Sequence, residues 1–127
     1  MAINNAARNA YLGASIKTAS PARLLVMLCD RLVLDLQRGR DAQVAGDREE
    51  ANTQLLHAQD IVMELRSSLD TKAWKGGEQL GAIYDWMFSQ LVKANTRMDV
   101  ATTEHVLKLA TEIADAWRQA ALPQAQA

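Results

Sequence analysis

Three stretches of this chain repeat one spacing of apolar side chains, and that spacing restricts what the chain can become. Ala51, Leu55, Ala58, Val62, Leu65 and Leu69 follow one another at intervals of 4, 3, 4, 3 and 4 residues. Leu80, Tyr84, Met87, Leu91, Ala94 and Met98 repeat those intervals, and Val106, Ala110, Ile113, Trp117 and Ala120 carry the same alternation. On an α-helix this spacing keeps every member on one stripe, so each segment buries that stripe only by facing another helix. Gly and Pro are scarce between the stripes while Ala and Leu are plentiful, which is the composition of an all-α protein.

The boundaries of the helices follow from capping chemistry. Ser20 is placed to cap free backbone N–H groups, and Pro21 suits a first helical position, where its missing N–H would have been unpaired anyway. A first helix is expected over residues 21–44, stopped by Gly46. Asp47 with Glu50 three residues on resembles a capping box that opens a second helix running to Leu69. The stretch "DTKAWKGGE", residues 70–78, reads as a turn, Asp99 as the cap of a fourth helix, and Leu122 with Pro123 as its end. The fold expected is an antiparallel four-helix bundle over residues 20–121, with a frayed tail over residues 122–127. Residues 1–19 are expected to pack on the bundle, because "YLGASIKTASP" places Tyr11 and Ile16 among small and polar residues where a free tail would gain nothing from them.

The first helix has more apolar surface than a bundle stripe needs. Between Leu24 and Leu36 ten of thirteen residues are apolar, interrupted by Asp30, Arg31 and Asp35. Leu24, Met27 and Leu34 form a row off the core side. Leu56 and Met63 sit beside the stripe of the second helix with Asn52 and Gln59; on the third, Phe88 and Val92 flank one edge and Ile83 and Trp86 the other. These residues either widen the core or form an apolar surface that receives another chain, since a monomer rarely exposes a large contiguous apolar patch without using it.

Chemistry is hard to assemble from the remaining residues. A di-iron site in a bundle needs Glu three residues before His on two helices, whereas Gln54 precedes His57 and Thr102 precedes His105 by that interval. Cys29, the only cysteine, lies in an apolar run that makes a thiol inert, and without a partner it forms no bridge, which fits a reducing cytosol. "KGGE" lacks the P-loop spacing. With 14 Lys and Arg against 15 Asp and Glu mixed along the chain, neither a nucleic-acid footprint nor a basic recognition helix is present, and no segment is apolar enough for a bilayer. A cytosolic helical binding protein without enzymatic activity, metal or cofactor is the expectation.

Several motifs in order resemble the FliS family of flagellar secretion chaperones. They are Tyr11 followed by "IKTASPARLLVMLCD"; "NTQLLHAQDIVMELRSSLD", with Asn52, Ala58, Gln59, Leu65, Leu69 and Asp70 at matching positions; "GGE" followed by "LGAIYDWM"; "LVKAN"; and a late "AW". The chain departs from the family's usual pattern at Cys29 and Arg31. The resemblance implies a bundle that holds the C-terminal segment of newly made flagellin in the cytoplasm, prevents its premature polymerisation and presents it to the flagellar export apparatus. On that reading the partner-binding residues are the off-core positions Leu24, Met27, Leu34, Leu56, Met63 and Trp86. Asn52, Gln59 and Asn95 either satisfy backbone groups of extended pieces of the partner or are ordinary solvated amides. Tyr11 and Ile16 then form a lid that partner displaces, or a fixed plug. A monomer or weak homodimer is expected; the alternative is an adaptor that homodimerises through the same apolar surface.

Overall fold

The computed structural model describes residues 21–73 and 75–126, with side chains as far as Ala121. Four helices form it: α1 over Pro21–Val44, α2 over Arg48–Ser68, α3 over Gly77–Arg97 and α4 over Val100–Gln126. Each helix packs on its two neighbours in the order α1, α2, α3, α4 and back to α1, most extensively α1 with α4 and least α3 with α4. Contacts between α1 and α2 pair Asp35 with His57, and between α2 and α3 they pair Asn52 with Asn95 and Arg66 with Asp85. Gly39 also lies against Leu55, so rising numbers on α1 meet falling numbers on α2, as they do between α2 and α3, and these neighbours run antiparallel.

The connections are made by local hydrogen bonds. After α1 the Asp47 N–H donates to Ala42 O (2.8 Å) and the Gly46 N–H to Gln43 O (3.1 Å), a Schellman closure that puts Gly46 at φ +76. Glycine meets that backbone without the penalty a Cβ brings. Met98 takes the same role after α3 at φ 51, with the Asp99 N–H on Ala94 O (2.9 Å). Asp47 accepts from the Glu50 N–H (3.1 Å), and Asp99 accepts from the Thr102 N–H (3.1 Å), so these two expected caps form, while Ser20 lies outside the described residues. The capping box is only half made, because the Glu50 carboxylate accepts from Gln54 Nε2 instead.

Three features differ from the sequence reading. Gly77 and Glu78, expected in the turn, begin α3. The helix α4 continues through Pro123 to Gln126 rather than ending at Leu122; a proline this close to a helix end removes one backbone bond without another turn depending on it. The buried stripe of α4 is also turned toward α1. Thr103, Leu107 and Ala114 join Val106 and Ala110 in the buried set, while Ile113, Trp117 and Ala120 are half-buried, because α4 packs more on α1 than on α3.

The stripes of α2 and α3 are buried over Ala51 to Leu65 and Tyr84 to Ala94, and with Leu25, Cys29, Leu32 and Leu36 of α1 they make one core. Lying between α2 and α4, α1 buries much of its excess: Val33, Leu24 and Leu28 pack half-buried against that core.

Candidate functional site

The stripe beside the core on α2 is Asn52, Leu56, Gln59, Met63 and Arg66, recurring at helical spacing along the edge that faces α3. Opposite it α3 presents Asp85, Phe88, Val92 and Asn95. Two polar clasps close the seam at its ends. Asn95 Nδ2 donates to Asn52 Oδ1 at 2.8 Å, and Arg66 Nε donates to Asp85 Oδ1 at 2.9 Å. Between them stand large apolar side chains that the bundle does not cover: Leu56 is 45% exposed, Met63 56% and Val92 42%. Val62, Met63, Leu69, Tyr84 and Phe88 line a groove of about 390 Å³ between these helices beside the Arg66–Asp85 pair.

Gln59 is buried, at 8% exposure. Asn52 is exposed and Asn95 half-buried, tied to each other.

The other expected positions lie elsewhere. Met27 of α1 is 54% exposed, on the side of the helix opposite its core row. Leu24 and Leu34 are half-buried, the first against the core. Trp86 stands on the opposite flank of α3, where its ring meets His105 of α4 edge-on (5.3 Å between centroids, 73° between planes). The structure therefore brings Asn52, Leu56, Gln59, Met63 and Asn95 together and leaves Met27 and Trp86 on separate faces. Tyr11 and Ile16 lie outside the described residues.

One cluster has no counterpart in the sequence reading. Asp35 is fully buried, accepting from Arg31 Nε at 3.0 Å on its own helix and contacting His57 Nδ1 of α2. His57 is thus tied to a buried carboxylate, a contact between residues 22 apart that helical periodicity does not announce. Cys29 is buried, and desolvation, with the Asp30 charge second, pushes its thiol up to about 12 against the weaker opposing pull of Arg118. Among the described residues no group of three or more His, Cys, Asp or Glu converges as metal ligands do, and no helix is long and apolar enough to cross a membrane.

An antiparallel bundle with a partly uncovered apolar seam, bracketed by polar clasps, is the frame of a helical binding protein. Comparison with known proteins gives the family. The model of the family described as flagellar protein FliS matches residues 3–125. The flagellar secretion chaperone FliS of Bacillus subtilis is 34% identical over 120 residues, covering 94% of this chain and 89% of that protein. Those of Salmonella typhimurium (36% over 109 residues, 83% and 79%) and Escherichia coli (33% over 110 residues, 85% and 81%) agree. The chain belongs to the FliS family of flagellar secretion chaperones.

Proposed function

We propose that this protein binds the C-terminal segment of a flagellin in the cytosol, keeps it from polymerising, and delivers it to the flagellar export apparatus, acting by binding rather than catalysis. The observation that carries this reading is the uncovered apolar seam of α2 and α3 in a chain of this family. A segment laid there covers Leu56, Met63 and Val92, and burial of such side chains contributes about 25 cal/mol per Å², reduced by the ordering of a disordered partner. Asn52, Gln59 and Asn95 then meet backbone groups of the segment, while Tyr11 and Ile16 act as a lid over this surface until the segment arrives.

Titration calorimetry with a flagellin C-terminal peptide tests this. A 1:1 complex with a clearly negative heat-capacity change is expected, weakened at least about tenfold by Leu56→Asp or Met63→Asp with the helix content unchanged. No binding at micromolar concentration overturns the reading, and a concentration-independent dimer indifferent to the peptide favours a self-associating adaptor. Deletion of residues 2–17 should tighten binding if they form a lid; loss of binding or folding makes them structural.

A further inference from the structure

A carboxylate with no solvent exposure in an apolar helix needs a reason. Asp35 has 0% exposure, and a well-packed hydrophobic side chain in place of a buried ion pair is often as stable or more so, so stability alone does not account for it. What the buried acid does is orient two basic side chains from behind. It takes Arg31 Nε at 3.0 Å and His57 Nδ1, which directs the two Nη groups of Arg31 and the Nε2 of His57 outward. Both side chains remain 50% exposed.

Arg31 and His57 line a shallow depression of about 420 Å³ that also includes Asn52, Leu56 and Asp60. Asn52 has given its Oδ1 to Asn95, so its NH₂ is what remains to offer. The Thr53 hydroxyl and Gln54 amide at the same wall already donate to Glu49 O and the Glu50 carboxylate. The unspent donors of the lining are therefore Arg31 Nη, Asn52 Nδ2, the second N–H of Gln54 Nε2 and, when the ring is protonated, His57 Nε2. A guanidinium whose Nε is held has its end-on fork fixed, the geometry that receives a carboxylate with two parallel bonds.

We propose that Arg31 and His57, held by Asp35, form a receptor for a carboxylate side chain of the bound segment. This rests on the flagellin reading for the source of the carboxylate. The receptor adjoins Leu56, so it takes an Asp or Glu next to an apolar residue of the segment and fixes the register of the segment along the seam. Asp60 is the opposing acid on the same wall and weakens the receptor.

The direct test is a nuclear magnetic resonance titration of the full chain with N-acetylglutamate N-methylamide, using the glutamine analogue as the uncharged control. The glutamate probe should shift the Arg31 Nε–H and the His57 ring saturably and the glutamine probe should not; Asp60→Asn should strengthen the shift. Arg31→Lys keeps the charge beside Asp35 but lacks the fork, and should weaken both the probe and the flagellin segment, the latter about tenfold. Equal shifts from both probes, or none from glutamate, overturn the receptor even where the segment binds. A glutamate-specific shift in a protein that does not bind the segment overturns the flagellin reading and leaves the receptor standing.

Discussion

Replacing Asp35 by Leu should do less harm than removing the two side chains that pair with it. The carboxylate is fully buried, while Arg31 and His57 are each 50% exposed. In Asp35→Leu the two basic side chains keep the water they already touch, and the desolvation of the carboxylate, several kcal/mol after relaxation, disappears. Leu is larger than Asp, and fitting it requires adjustment of about 1 kcal/mol. The variant should thus lie between about 1 kcal/mol less stable and about 3 kcal/mol more stable than the parent chain. The double variant Arg31→Ala, His57→Ala leaves the carboxylate buried without either partner, which removes about 3–5 kcal/mol. Against a total of about 5–15 kcal/mol for a domain this size, that loss is plain in urea unfolding followed by circular dichroism with linear extrapolation. If Asp35→Leu proves the more damaging of the two, the buried acid is a structural keystone and the reasoning is wrong.

The glycines separate two mechanisms. Gly46→Ala should destabilise by about 1 kcal/mol through its left-handed backbone alone, since nothing lies within 4 Å of the added Cβ. Gly77→Ala should destabilise by about 2 kcal/mol or more, because its Cβ would stand 2.5 Å from Thr71 O, a backbone atom that cannot swing aside; thermal unfolding compares the pair. Cys29, with a thiol pushed up to about 12, should react with a disulfide reagent near pH 8 only on unfolding, its thiolate fraction there being about one in 10⁴. The Thr102 hydroxyl, and second its N–H, hold the Asp99 carboxyl below its usual 3.8. A depressed acid contributes stability above its unfolded value and loses it as pH falls through the folded one. Below about pH 4 the parent chain should therefore lose stability more steeply with falling pH than Asp99→Asn does.

The sequence by itself determined the helices and the faces they bury. Periodicity of 3.6 residues is a local property, and so are caps such as Asp47 and Asp99, which reach only three residues ahead. Leu55, Val62, Tyr84 and Leu91 were assigned to the core on that ground, and all are buried. Family membership was legible for the same reason, because ordered local motifs carry it. Tertiary structure decided what becomes of the apolar excess. Lying between α2 and α4, α1 covers much of its own, so Leu24 is half-buried while Met27 on the outward side is left bare. Leu56 and Met63 join Val92 across one seam, whereas Trp86 turns to His105 on the other flank of its helix, a separation that needs to know which helix stands on which side. Asp35 marks the limit of sequence reading most sharply. In the chain it interrupts an apolar run like any solvated acid; its burial, and its pairing with a histidine 22 residues away, come only from the antiparallel packing of α1 on α2.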